Sequence, residues 1–392
     1  MRVKMSRRAR WAVPATAVAV TAAVVAALQI PAAEASPNLP DKTPAQLLAS
    51  LSSDSKVPPL TGTVVETTSL GLPQLPQAAT SATSITSLLT GSHTVKVYYQ
   101  DATHYRLAVP QPSSETDVIA DGSKVWLWQS TSDSVTEFVP SGKGEHAKAK
   151  LPTAPLTPQQ AANEVLAKVG KTTIVSVQAN VMVEGEPAYQ LVLAPKDHRS
   201  LIGKIVIAID GKYGVPLRFQ IFAKGANSAA FQVGYTALAF TNPDPANFAF
   251  TPPPGASVDV VKLGANSGKA IAKSGKSSLT GFGSYGKSWL TVVSFPQRDL
   301  SAALSGNLGG SGPSQAPGKQ PDIYSAKGGS VSVSAQEVLN AVLGSAKPVH
   351  GSWGSGTLVT TSLVSMLITN GEVYIGAVEP SVLYAAVGHT TS

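Results

Sequence analysis

The feature that most constrains the fold is a series of short, β-branched and aromatic segments, each too short for a stable isolated helix and many alternating in polarity. They run Gly62 to Leu70, Thr94 to Tyr99, Tyr105 to Val109, Asp117 to Ala120, Lys124 to Gln129 and Val135 to Val139. After a gap they resume at Thr173 to Val183, Ala188 to Leu193, Lys204 to Ile209, Leu217 to Phe222, Phe231 to Phe240 and Phe248 to Phe250. Period-two alternation over four to eight residues, bounded by turn formers, predicts antiparallel strands. Asp121-Gly122 between two of them is a tight-hairpin signal. The prolines from Pro252 to Pro254 end the last segment, because proline cannot donate to a ladder. Phe248 and Phe250, alternating ahead of them, are expected on a closing strand.

Helices are few. Thr43, Pro44 and Gln46 carry the chemistry of a capped helix start, with Leu47, Leu48 and Leu51 following on one face. Thr157, Pro158 and Gln160 repeat it before a second helix, Pro158 to Val169, which Gly170 stops. Gly71 to Ser87, rich in Pro, Gln, Ala, Ser and Thr, reads as a long loop between the first two strands. Gly264 to Ser278 is mostly Gly, Ser, Ala, Asn and Lys, a composition that buries too little apolar surface to offset its ordering entropy. That run sets a linker over 261–279 and divides the chain into 36–260 and 280–392. The latter holds a strand from Ser288 to Phe295, a low-complexity loop and a helix from Ala335 to Leu343 capped by Ser334. Two further strands, Thr357 to Ile368 and Glu372 to Val378, flank Asn370-Gly371. The expected fold class is α+β, a large antiparallel sheet followed by a small α+β domain.

The first 35 residues set the compartment. Arg2, Lys4, Arg7, Arg8 and Arg10 precede an apolar run from Trp11 to Ile30, and Ala33-Glu34-Ala35 offers a small-x-small cleavage site. An export signal is the favoured reading, since alanine dominates the run and Pro14 interrupts it; an uncleaved anchor is the other. In both, the bulk of the chain lies outside the cytoplasm. Residues 36–392 keep 25 basic and 22 acidic side chains, so the net charge of +7 falls to +3 and no basic stripe suggests nucleic acid. Cysteine is absent, which excludes disulfides, thiolate metal sites, cysteine catalysis and a lipidated cysteine.

One formal catalytic motif is present. Gly281 to Ser288 (GFGSYGKS) satisfies the phosphate-loop pattern, but a polar linker precedes it where a strand belongs, and Trp289 to Phe295 follows where a helix belongs. No nucleotide is expected there. The histidines His93, His104, His146, His198, His350 and His389 show no close ligand spacing, and no Gly-x-Ser-x-Gly elbow occurs. Neither catalysis, cofactor nor metal is expected. Tyr98, Tyr99, Trp126 and Trp128 have the composition of a sugar platform, although alternating strand aromatics more often pack in a core.

The order of these elements, with Asp121-Gly122 leading to Trp126 and Trp128 and with Phe248-Ala-Phe-Thr-Pro-Pro-Pro-Gly255, resembles the LolA-like superfamily. That group contains periplasmic lipoprotein carriers and the related RseB/MucB regulators. Actinobacterial secreted proteins with a shorter C-terminal domain look similar across their length. The resemblance covers residues 38–260 and implies an open, curved antiparallel half-barrel, covered by helices, with an apolar cavity for acyl chains. Where the carrier pattern has an arginine beside Pro-Asn, this chain has Asp101-Ala-Thr-His-Tyr-Arg106, so that arginine's role is not carried over to Arg106.

The cavity wall is expected from Val95 and Val97, Tyr105 and Leu107, Trp126 and Trp128, Leu191 and Leu193, Ile205 and Ile207, Phe219 and Ile221. Burying one methylene contributes about 0.8 kcal/mol, so a 16-carbon chain supplies on the order of 10 kcal/mol before ordering costs. A filled core is the bland alternative for the same residues. The expected function is an extracytoplasmic carrier-like protein binding an acyl lipid or lipoprotein. The alternatives are a regulator of the RseB type, which binds a membrane anti-sigma factor, and an envelope scaffold.

Overall fold

The computed structural model describes residues 37–52, 57–71, 91–141, 170–264, 282–300, 343–387 and 389. The leader, the loop expected at Gly71 to Ser87 but for Gly71, the helix expected at Pro158 to Val169, the low-complexity loop, the helix expected at Ala335 to Leu343 but for Leu343, and most of the linker lie outside them. Helix α1 (Pro44–Ser52) begins as expected. The Thr43 amide donates to Gln46 Oε1 at 2.8 Å and the Gln46 amide donates to Thr43 Oγ1 at 3.3 Å, a reciprocal capping box.

Six strands then form a meander: β1 (Leu60–Thr68), β2 (Gly91–Asp101), β3 (His104–Gln111), β4 (Ser114–Asp121), β5 (Lys124–Gln129) and β6 (Ser134–Ser141). A second meander follows: β7 (Thr173–Val183), β8 (Glu186–Pro195), β9 (Ile202–Asp210), β10 (Pro216–Ala223) and β11 (Ala229–Ala239). Hairpin chemistry sets the turns, with Gly122 at φ 63° after Asp121, and Glu184-Gly185 at 48° and 83° between β7 and β8. Pairing of β1 with β11 fuses the meanders. With β12 (Ser257–Gly264) they form one open 12-stranded sheet in the order β12, β6, β5, β4, β3, β2, β1, β11, β10, β9, β8, β7. Its edges do not meet, so it is not a closed barrel. Every neighbouring pair is antiparallel except β12 with β6.

That last pairing corrects the expected closing strand. Phe248 and Phe250 are not on a strand. Asp244 Oδ1 accepts the Ala246 amide at 2.9 Å and starts a 3-10 turn over Pro245–Asn247, with Phe248 at its end in αR conformation. The sheet is finished instead by β12, which runs to Gly264, four residues past the expected boundary at 260.

A second sheet has six strands: β13 (Gly283–Tyr285), β14 (Val292–Pro296), β15 (Lys347–Gly351), β16 (Gly354–Thr360), β17 (Ser365–Thr369) and β18 (Glu372–Gly376), in the order β13, β14, β18, β17, β16, β15. The expected strand Thr357 to Ile368 is two strands. Thr361 Oγ1 accepts the Leu363 and Val364 amides at 3.3 and 2.9 Å, a side-chain turn that folds β17 back on β16. Helix α2 (Pro380–Ala386) buries Val382, Leu383 and Ala386 against β14, β17 and β18. Of the phosphate-loop pattern, Gly283 to Tyr285 is strand β13 and Ser288 to Leu290 a three-residue 3-10 turn.

The two sheets are stitched together by main chain. The Leu201 amide donates to the Ala377 carbonyl at 3.0 Å, Ser200 and Val378 form an isolated bridge, and the Ser362 amide donates to the Leu70 carbonyl at 3.0 Å. Leu70, Ala230 and Leu363 pack together beneath these bonds. Lys224 Nζ pairs with Glu379 Oε1 at 2.7 Å at the rim.

Candidate ligand-binding face

Residues directly opposite in antiparallel strands share a face, so the register shows which side chains form each row. One row reads Val177, Leu191, Ile207, Phe219, Val233, Glu66, His93. The row nearer the small sheet reads Val175, Leu193, Ile205, Ile221, Phe231, Thr68. Towards the other end Tyr235, Val64 and Val95 lie side by side, and beyond them Leu238, Gly62, Val97, Leu107 and Val118. A Cβ on Gly62 would stand 2.8 Å from the Tyr235 ring, so the absent side chain is what admits that ring. Helix α1 seats Leu47 and Leu51 on the same face. Ahead of it, the Pro40 carbonyl accepts from the Tyr189 hydroxyl at 2.7 Å and the Pro37 carbonyl from Asn180 Nδ2 at 3.2 Å. At the opposite end Trp289 closes the face, its Nε1 donating to Thr173 Oγ1 at 2.8 Å.

Ten of the twelve expected wall residues stand on this inner face: Val95, Val97, Tyr105, Leu107, Leu191, Leu193, Ile205, Ile207, Phe219 and Ile221. Leu191, Leu193 and Ile207 are wholly buried, each contributing about 1.5–3 kcal/mol through removal of its side chain from water. Ile221, Phe231, Leu107 and Tyr105 are half-buried, so parts of the face remain reachable.

Trp126 and Trp128 stand on the other side. Their neighbours alternate with Val125 and Leu127, and Trp126 lies opposite Ile119 and Glu137. There they pack under Phe250, with ring centroids 5.8 and 6.4 Å away, and Ile119, Trp126 and Val135 form a separate cluster. Phe248 reaches the same outer face edge-on to His104 at 6.1 Å. The proline-bounded segment is thus a seal over the outer aromatics. Arg106 also belongs to the outer face, where its guanidinium binds Asp117 Oδ2 and lies 3.5 Å from Glu115 Oε1. Burial, with Glu115 alongside, pushes the Asp117 carboxyl up to about 6 despite the guanidinium.

Sequence reasoning overlooked Glu66. It is only 2% exposed on the apolar inner face, with Val233 on one side and His93 on the other. The Thr68 hydroxyl donates weakly to Oε1 at 3.5 Å, and buried Oε2 has no partner among the described residues. Burial pushes this carboxyl up to about 7, and the same loss of solvent lowers His93 from its usual value. The signal was available, because Leu60, Gly62, Val64 and Glu66 share one strand parity. An ionisable group at an inward position of an otherwise apolar strand breaks the alternation. Among the described residues no cluster of His, Asp and Glu could hold a metal ion, and no helix is long and apolar enough to cross a membrane.

No protein-family model matches this chain, and no curated protein matches it. Solved structures do. The MucA/MucB complex of Pseudomonas aeruginosa is 12% identical, with 88% of this chain and 96% of that chain covered at a TM-score of 0.38. LprF of Mycobacterium bovis is 10% identical, with 56% and 100% covered at 0.25. A LolA superfamily protein of Nitrosomonas europaea is 10% identical, with 54% and 99% covered at 0.19. The chain is similar to LolA-superfamily and MucB structures. At this identity and superposition no ligand or partner passes from them to this chain.

Proposed function

We infer that the protein binds an acyl lipid or a lipid-modified polypeptide outside the cytoplasm, on the inner face of the large sheet, and does so without catalysis. The observation that carries this reading is the inner face itself. Its apolar rows span β1, β2 and β7 to β11, its two ends are held by α1 and Trp289, and it stays half-open at Ile221, Phe231 and Leu107. A flexible hydrocarbon chain matches such a surface because it needs no directional partner, only water excluded from it.

The test is native mass spectrometry with lipid extraction on the full chain, secreted from a bacterial host. Acyl lipid bound stoichiometrically to the wild type and lost in Ile221→Asn is the expected result. A ligand-free mass that ignores added lipid refutes it.

A second reading, a regulator binding a membrane protein, is favoured by the joint between the sheets, where main-chain bonds of Leu201 and Ser200 hold the small sheet at one end of the inner face. A pull-down from envelope extracts separates the readings. A single membrane protein supports regulation; lipid alone supports carriage.

A further inference from the structure

Buried carboxyl oxygens in folded proteins are almost always hydrogen-bonded, because an unpaired one costs about 1–3 kcal/mol. Among the described residues Glu66 Oε2, Asp117 Oδ1 and Asp210 Oδ2 depart from that rule, and of the three only Glu66 belongs to the inner rows, between Val233 and His93 at the β2 end of its row. Its surroundings are specific. Val64 and Thr68 flank it along β1, Val233 and His93 lie across from it, and Phe231 and Phe219 belong to the adjoining positions of β11 and β10. The titratable side chain directly across from it is His93, and Tyr235 lies one inward position along β11. Among the described residues, β1, β2, β3, β8, β9, β10 and β11 turn no lysine or arginine to this face; Lys96, Arg106, Lys204 and Arg218 all have the opposite parity, and Lys42, ahead of α1, stands over the Tyr189 ring at 4.7 Å at the α1 end.

We propose that Glu66 is the polar anchor of the inner face, and that the lipid taken there carries an uncharged, hydrogen-bonding head with an ester carbonyl and a free hydroxyl, as in an acylglycerol, rather than an anionic one. This rests on the lipid-binding reading above and specifies its ligand. A neutral carboxyl has one O–H to give and a carbonyl to receive, which an ester carbonyl and a hydroxyl satisfy together. Burial already favours that neutral form. A carboxylate or phosphate head would instead bring a negative charge beside Glu66, where the neighbouring strands turn it no cation. Half-buried His93 and Phe231 stand beside the carboxyl and are the side chains past which the head reaches it.

The experiment titrates the full chain at pH 7 with monooleoylglycerol and with oleate, which share one hydrocarbon chain. The wild type is expected to bind the glyceride about tenfold more tightly, the worth of one good hydrogen bond. Glu66→Leu, an apolar replacement in an apolar row, should bring the two affinities within about twofold without weakening oleate. Glu66→Gln, neutral at every pH and still donor and acceptor, should keep the preference. Circular dichroism establishes that both variants fold. Equal affinities in the wild type, or a tenfold preference that survives Glu66→Leu, overturns the anchor while leaving lipid binding intact. Failure of the wild type to bind either probe overturns lipid binding as well.

Discussion

The two faces of the large sheet use the same strands differently. On the outer face Arg106 and Asp117 meet as an ion pair, and Trp126 and Trp128 are sealed by Phe250 from a separate segment of the chain. On the inner face the apolar rows carry one carboxyl, Glu66, whose second oxygen has no hydrogen-bond partner among the described residues. The outer carboxyl has a guanidinium to answer it, although Asp117 Oδ1 and Arg106 Nε are likewise buried without a hydrogen-bond partner among the described residues. The inner face buries a group whose chemistry its own residues leave unanswered, and that asymmetry is why a ligand is sought there.

The harshest way to break the comparison is to charge the inner face where it is fully packed. Ile207 has no exposed surface, and the described strands beside it turn no lysine or arginine to an aspartate there. Ile207→Asp should cost more than about 4 kcal/mol and leave little folded protein in urea titrations. Val258→Asp, on the half-exposed edge strand β12, should stay within about 0.5 kcal/mol of wild type. Similar losses at both positions would mean that the inner rows are not the core.

Next in size is a pH effect at Glu66. Its carboxyl is held at about 7 in the fold against 4.5 in the unfolded chain. A raised carboxyl contributes stability that is complete below 4.5 and fades as pH climbs through about 7, because the folded state holds the proton longer. The span corresponds to about 3 kcal/mol. Asp117, pushed up to about 6, acts in the same direction, so the telling quantity is the difference between Glu66→Gln and wild type. That difference should grow in the mutant's favour from pH 5 to pH 8 in denaturant titrations. A flat difference would place Glu66 in contact with water.

Smaller again is the seal. Phe250→Ala should cost about 1–3 kcal/mol, red-shift the tryptophan emission and leave lipid binding unchanged, because Trp126 and Trp128 face away from the inner rows. Weakened lipid binding would mean that the faces are coupled through β5.

These positions also show how far the sequence could be read. Period-two alternation located the strands, and where one side of a strand is apolar it chose the face: Val95 and Val97 about Lys96, and Phe219 and Ile221 about Gln220, stand on the inner side, whereas Ile205 to Ile209 is apolar throughout and its face is not chosen by pattern. It could not choose on β5, where Val125, Trp126, Leu127 and Trp128 are apolar on both sides. There the outer position of the tryptophans is decided by Phe250, far along the chain. Two phenylalanines two apart satisfy a strand period and a turn equally well, and Asp244-Pro245 just upstream was the stronger signal. The break inside Thr357 to Ile368 carries neither glycine nor proline, only Thr361, whose hydroxyl makes the turn. Glu66 was legible in the same alternation, as a charge at an inward position of β1 between Val64 and Thr68.

The smallest effect concerns α1, whose Leu47 and Leu51 cover one end of the inner face. Its start depends on reciprocal bonds between Thr43 and Gln46. Thr43→Ala removes one of them and should cost about 1 kcal/mol. Where that cost appears sharpens the comparison of faces. If α1 is a fixed part of the core, amide exchange should rise uniformly across both faces and lipid affinity should hold. If α1 opens by itself, exchange should quicken only in residues 44–52 and at Tyr189, whose hydroxyl is tied to Pro40 just ahead of the helix, and lipid should enter and leave faster at nearly constant affinity. The second pattern would make the inner face gated from its α1 end, whereas the outer face, closed by Phe250 and the proline run, would be unmoved by the same substitution.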